Sequence, residues 1–280
     1  IKKIINDNFD LLIVDHYSLD FKFESKSRDW AKYIFVIDDL ANRKHDCDLL
    51  LDQTMGRTKN KYLKLVSKKC RILVGPKYGL MKENFNKLRL KSVNKRKKIN
   101  SIEKLLISFG AVDSKCLSSL VLNTLNQLSK QKKIKIPETD IVFGKMALKS
   151  YNKVMKIKDN LTFSHNIYLG IDNMAKFIFQ SDISFGAGGI SSLERCCLGL
   201  PTATIIVNDN QKEQSKFLNT KQAQLLAGSW NNITPNMISD TYLKLTNIRT
   251  LKNISKNAFL ICDGLGSERV LQIIKKFLVK

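Results

Sequence analysis

Short apolar runs that stop on polar residues or glycine recur along the chain. Residues 9–14 (FDLLIV), 33–37, 47–51 and 71–74 are each strand-sized. They end at Asp15-His16-Tyr17, at Asp38-Asp39, at Asp52 and at Gly75-Pro76. Successive apolar positions without alternation mark a strand covered on both faces, as in a parallel sheet. Helical or loop segments separate the four runs, so the pattern predicts an α/β layer. Residues 85–100 then turn polar, with the basic run KSVNKRKK at 91–98, and are expected to link two domains. A second series follows. It comprises strands over 104–109, 140–143, 167–169, 182–185 and 202–207, helices over 114–128, 173–179 and 191–198, and an amphipathic polar stretch over 145–158. Gly199 and Pro201 stop the 191–198 helix, and the remainder to residue 280 reads as mainly helical. The opening IKKIINDNFD reads as a helix end running into a strand, and the chain is expected to lack its true beginning.

Two doubly wound layers imply ligand binding at the C-terminal ends of strands, near a topological switch point. Gly186-Ala187-Gly188-Gly189-Ile190-Ser191-Ser192-Leu193-Glu194 joins a strand to a helix there. Its glycines, the unpaired first N–H groups of the helix and the two serine hydroxyls suit a phosphate or diphosphate. The same residues also fit a tight turn with a capping box, since Ser191 and Glu194 have the S-x-x-E spacing. Asn208-Asp209-Asn210-Gln211 follows the next strand and suits sugar hydroxyls, or simply a polar turn opening a helix. Gly110 would let a ligand approach the backbone, while Asp113 could cap the following helix through Leu117. His16, in its polar triplet, reads equally well as a satisfied structural histidine.

Composition narrows the function classes. The chain has 280 residues and a net charge of +23. Its basic residues are 39 Lys and only 9 Arg, and the densest basic run carries no aromatic to stack a base. Nucleic-acid readers lean on Arg, so the charge is read as solvated lysines or as a field for an anionic small substrate. No apolar run approaches the ~18 residues of a membrane span. The six cysteines form no CxxC pair and the three histidines no cluster. Reduced thiols in a cytoplasmic protein without a zinc site are expected, and nothing resembles a secretory signal.

The segments FDLLIVDHY, VIDDLANRKHDCDLLLDQT, ISFGAVD, SDISFGAGGISSLERCCLGLPTATIIVNDNQ and CDGLGSERV, in this order, resemble one family. It is the UDP-2,4-diacetamido-2,4,6-trideoxy-β-L-altropyranose hydrolase family of pseudaminic acid biosynthesis. That group shares the GT-B architecture, two Rossmann-like domains facing a cleft, with nucleotide-sugar glycosyltransferases. The resemblance implies an N-terminal domain over 1–95, apparently truncated, on the sugar side. It implies a UDP-binding domain over 101–280 whose last helix packs back on the first. The implied reaction hydrolyses a UDP-linked diacetamido-trideoxy hexose to the free sugar and UDP, with neither cofactor nor metal. The diphosphate would meet Gly188, Gly189, Ser191 and Ser192, and the ribose would meet Glu194. The uracil would meet backbone around Leu169 and Ile171, and Gly110 and Gln211 would line the site. Tyr17 and Asn210 match positions facing the sugar. The family's general-base histidine, on a glycine-rich loop after the first strand, has no counterpart here. The chain is therefore expected to bind UDP but to turn over poorly. A GT-B glycosyltransferase using a UDP-N-acetyl sugar and a non-catalytic nucleotide-sugar-binding fragment are the competing readings.

Overall fold

The computed structural model describes residues 7–132 and 134–279. The helix end expected at the very start of the chain lies outside them. The chain folds as two compact units. One comprises the residues up to Met81 together with those from Gly264 on, and the other is Lys82–Asp263.

The first unit is built on β1 (Phe9–Val14), α1 (Phe21–Ser27), β2 (Ala31–Ile37), β3 (Leu49–Asp52) and β4 (Arg71–Val74). Its strands lie side by side in chain order, all parallel. Alternate residues part to opposite faces, as the two-residue repeat of a strand requires. Ile34, Val36 and Leu50 pack with Tyr62 and Val14, whereas Phe35, Leu49 and Leu51 pack with Val270 and Ile273.

The second unit runs α2 (Glu83–Lys98), β5 (Lys104–Ser108), α3 (Leu117–Lys132), β6 (Glu138–Phe143), α4 (Leu148–Met155) and β7 (His165–Leu169). It continues α5 (Met174–Gln180), β8 (Ile183–Ala187), α6 (Ser191–Cys197), β9 (Thr202–Ile206), α7 (Lys212–Thr220), β10 (Leu225–Ser229), α8 (Pro235–Leu245) and α9 (Ile248–Ile261). The last helix, α10 (Gly266–Leu278), belongs to the first unit and supplies the Val270 and Ile273 named above. The six strands of the second unit are all parallel, in the order β10-β9-β8-β5-β6-β7. The fold class is thus α/β with two Rossmann-like parallel sheets.

Two expectations are corrected. Residues 85–100 are not a linker but most of α2, which lies wholly within the second unit, so the chain divides after Met81 rather than near 91–98. The reason is chemical. The cations of α2 reach the carbonyls that other helices leave unpaired at their C-termini. Arg89 donates to Cys197 O, Cys262 O and Phe259 O, Ser92 Oγ to Leu198 O, and Arg96 to Ile178 O and Ser181 O. Burial pulls the Arg96 guanidinium down to about 10, with Asp182 acting against the shift. The second correction is β10, which falls in the stretch read as helical. It is a five-residue edge strand with a bulge between Leu226 and Gly228, and of its residues only Ala227 is fully buried.

Candidate functional site

In the second unit, β5 leads through α3 to β6 on one side, whereas β8 leads through α6 to β9 on the other. Crossovers of parallel strands are right-handed, so connections running in opposite directions place their helices on opposite faces. The reversal falls between β5 and β8, which pair directly, Ser108 opposite Gly186. This is the topological switch point, and its crevice opens at the carboxyl ends of the two strands. Gly110, in the left-handed region at φ +85°, stands just past one end, and Gly188 and Gly189 stand just past the other.

The glycine turn is built for close approach rather than for positive φ, since neither Gly188 nor Gly189 is left-handed. A side chain on Gly188 would collide with Ser215 Oγ, whereas a Cβ on Gly189 would meet only Gln211 Nε2 at an ordinary 3.5 Å. A side chain at 188 therefore requires the Ser215 hydroxyl to move, whereas one at 189 requires nothing to move. The turn closes through Ser192 N to Gly189 O and Leu193 N to Ile190 O, both 2.9 Å. The N–H groups of residues 189–191 precede the first helical carbonyls and have no intrahelical acceptor.

The capping box does not form. Ile190 occupies the N-cap position in helical conformation without a side-chain cap, and Ser191 is already the first helical residue. Its Oγ instead accepts from Arg195 Nη1 (3.1 Å), which leaves the Ser191 O–H for a ligand. Ser192 faces inward at 2% exposure, receiving Arg195 Nη2 at 3.0 Å and donating to Ala187 O at 3.3 Å. Arg195 also holds Ala187 O at 2.6 Å, and burial lowers its guanidinium to about 10. Glu194 is half-buried, and desolvation raises its carboxyl above the usual range against the pull of Arg195 and Lys82.

The turn after β9 lies beside these groups. Gln211 Oε1 accepts from Val207 N at 3.0 Å, which leaves its Nε2 toward Gly189. Asn210 is exposed in the same turn, Asp209–Gln211, which does open a helix, α7. Gly188, Gly189, Ser191, Glu194 and Gln211 are thus brought together. Leu169 and Ile171 lie at the end of edge strand β7. Three strand intervals separate β7 from β8, about 14 Å at ~4.8 Å each.

Asp113 is a cap. Buried and at φ +42°, it accepts Leu117 N (2.9 Å), Ser118 N (3.2 Å) and the Ser150 hydroxyl (2.5 Å). Asp113→Ala is expected to destabilise the second unit by about 2–3 kcal/mol, combining a lost N-cap with a stranded buried hydroxyl. Asp113→Asn, which tolerates the left-handed backbone, should lose less. Urea unfolding of both variants checks this.

In the first unit, Tyr17 follows β1 and is 61% exposed, its hydroxyl donating to Asp39 Oδ2 at 3.2 Å. Partial burial and the Asp39 carboxylate raise the phenol above its usual range. His16 Nδ1 accepts from Ser18 N at 3.1 Å, the structural role weighed for it. Sequence reasoning missed the buried network at the ends of β2 and β3. There Tyr62 Oη lies 2.9 Å from Asp38 Oδ2 and 2.8 Å from Asp52 Oδ2. Arg43 pairs with Asp38 at 2.7 Å, Arg57 with Asp52 at 2.8 Å and His45 with Glu24 at 2.7 Å. The signal was that Asp38 and Asp52 end apolar runs, with the compensating Arg43, His45, Arg57 and Tyr62 spaced close behind.

No model of a protein family matches the chain. It is 28% identical over 184 residues to the UDP-2,4-diacetamido-2,4,6-trideoxy-beta-L-altropyranose hydrolase of Campylobacter jejuni, covering 65% of this chain and 61% of that protein. It is 28% identical over 225 residues to an uncharacterized protein of Methanocaldococcus jannaschii, covering 76% of this chain and 43% of the relative. The chain therefore matches less than two thirds of the length of each. Among solved structures, Acinetobacter baumannii MurG is similar at TM-score 0.65 and 13% identity, covering 98% of this chain and 75% of that one. S. aureus MnaA, in a co-structure with UDP, is similar at TM-score 0.62 and 13% identity, covering 99% and 78%. At these identities the structures show a shared fold. Among the described residues no helix is long and apolar enough to cross a membrane.

Proposed function

We propose that the chain binds a UDP-sugar, with the diphosphate at the turn formed by Gly188, Gly189 and Ser191, and that it hydrolyses the bond between the anomeric carbon and the phosphate oxygen. The observation that carries this reading is the position of that turn at the switch point between β5 and β8. Oriented N–H groups, the Ser191 hydroxyl and Gln211 Nε2 converge there on one small volume. Such a cradle neutralises the charge that develops on a departing diphosphate. The hydrolysed sugar is proposed from the resemblance to the Campylobacter hydrolase, as are the ribose contact of Glu194, the uracil contact near Leu169 and Ile171, and the roles of Tyr17 and Asn210 toward the sugar. In this reading the water oxygen bonds to the anomeric carbon, the carbon–oxygen bond to UDP breaks, and the water's proton is released to solvent, since neither Tyr17 nor Asn210 takes it up, so turnover is expected to be slow. Tyr17 and Asn210 orient. The Tyr17 proton is directed at Asp39, and its raised pKa keeps it on the phenol. A well-placed base is worth typically 10²–10⁴-fold.

The unequal demands at the two glycines give the test. Gly189→Ala is expected to keep its unfolding midpoint, because its Cβ meets nothing closer than 3.5 Å, and to bind both UDP and pyrophosphate at least tenfold more weakly in calorimetric titration. Glu194→Ala should weaken UDP and spare pyrophosphate. Wild-type binding of both ligands by Gly189→Ala would remove the diphosphate from this turn. The reaction is tested by adding the UDP-sugar in ¹⁸O-labelled water: hydrolysis puts the label in the sugar without any acceptor, whereas a glycosyltransferase releases UDP only when an acceptor is supplied.

A further inference from the structure

At the opposite end of the second unit's sheet, where β8 and β9 begin, α2 and α9 leave a cavity of about 460 Å³ between them. Val93 and the ring of Phe259 give it apolar surface. The exposed Lys97 of α2 and the exposed Lys252 and Lys256 of α9 line it as well, and no carboxylate does. Lysine by itself distinguishes nothing on a chain of such basic composition. Ser255 does. It lines the same cavity, is 2% exposed, and its hydroxyl has no hydrogen-bond partner. A serine inside a helix ordinarily turns its hydroxyl back to the carbonyl four residues earlier, and a buried hydroxyl left unmade is unfavourable. The neighbouring Arg96 is not the complement, since it donates to Ile178 O and Ser181 O.

Lys252, Ser255, Lys256 and Phe259 share one stripe of α9 by their spacing. The stripe offers a hydroxyl and two ammonium groups, Lys97 adds a third ammonium from α2, and an aromatic ring lies alongside. We propose that this cavity binds a free single-chain amphiphile with one anionic head. The Ser255 hydroxyl and the lysines would receive the oxyanion, and the alkyl chain would lie against Val93 and Phe259. A cleft between two helices, half open to solvent, has room for a single chain and does not present the flat face that a bilayer would need. The site lies a full strand length from the glycine turn and does not depend on the reading given to that turn.

Decanoate carrying ¹³C at its carboxyl carbon, kept below its micellar concentration, is the probe. Titrated into the full chain, it is expected to show a saturable shift with one site, and decanol, which lacks the charge, to bind at least tenfold more weakly. Lys97→Glu combined with Lys256→Glu, both at exposed positions, should weaken decanoate at least tenfold with an unchanged circular dichroism spectrum and melting temperature. Ser255→Ala should weaken it several-fold. The absence of saturable binding would overturn the proposal, as would affinity indifferent to the charge reversal. Attachment to phosphatidylglycerol vesicles without affinity for monomeric decanoate would overturn it too.

Discussion

Arg195→Met is expected to destabilise the second unit by about 3–5 kcal/mol and, on the proposed reading of the glycine turn, to abolish UDP binding with it. The guanidinium supplies donors to Ala187 O, Ser192 Oγ and Ser191 Oγ, at 2.6, 3.0 and 3.1 Å. A charged donor contributes about 1.5–3 kcal/mol net per hydrogen bond, and each buried acceptor left bare costs about 1–3. Against this, Met escapes the penalty of burying a cation, a penalty visible in the guanidinium's fall to about 10. The hydrogen bonds win because three acceptors lose a charged donor at once, even though Ala187 O keeps the Ser192 hydroxyl at 3.3 Å. Arg195→Lys should rescue little, since one ammonium cannot reproduce the planar fork. The two tryptophans make the experiment clean, Trp30 lying in the first unit and Trp230 in the second. Urea unfolding followed by Trp230 in a Trp30→Phe background reads the second unit alone, which matters because a two-unit chain need not unfold in one step. A loss under 1 kcal/mol would mean that the turn holds its shape without Arg195.

The same residue shows where reading the chain succeeds and where it stops. The strands were legible because parallel strands buried on both faces must be continuously apolar, and β1, β4 and β5 fall almost where the runs do. The switch-point glycines were legible because strand, glycines and helix follow one another in sequence. Arg195 was not, because it sits inside the helix it stabilises and folds its guanidinium back over the strand before it. Ser191 and Glu194 have capping-box spacing, yet the helix begins one residue too early for Ser191 to serve as its cap. The basic stretch 91–98 looked like a solvated linker. Its Ser92, Lys95 and Arg96 instead meet carbonyls from two remote segments, the C-terminal ends of α5 and α6, and such partners are invisible until the chain is folded. Asp113 is the counter-example, for the partner it needs, Leu117, is four residues away.

Tyr62→Phe is expected to destabilise the first unit by about 2–4 kcal/mol at pH 8, the cost of taking the phenol's hydrogen bonds away from two buried carboxylates. The phenol lies between Asp38 and Asp52, two carboxylates with 3% and 0% exposure, and its single proton serves both. Burial already lifts the Asp52 carboxyl above its usual range, held in check by hydrogen bonds from Thr54 and Tyr62 and by the charge of Arg57. Removing the Tyr62 hydroxyl removes one of those checks, so the folded-state pKa rises further. A carboxyl whose folded pKa lies above its unfolded value of about 3.9 binds more protons folded than unfolded between the two. Stability therefore falls as pH rises through that window, and the variant extends the window upward. The deficit of Tyr62→Phe against wild type should accordingly be smallest near pH 4 and grow toward pH 8. Urea unfolding followed by Trp30 in a Trp230→Phe background at the two pH values measures it. A deficit that does not change with pH would show that Tyr62 acts by packing alone, with Arg57 and Thr54 sufficient to hold the Asp52 carboxyl where it is.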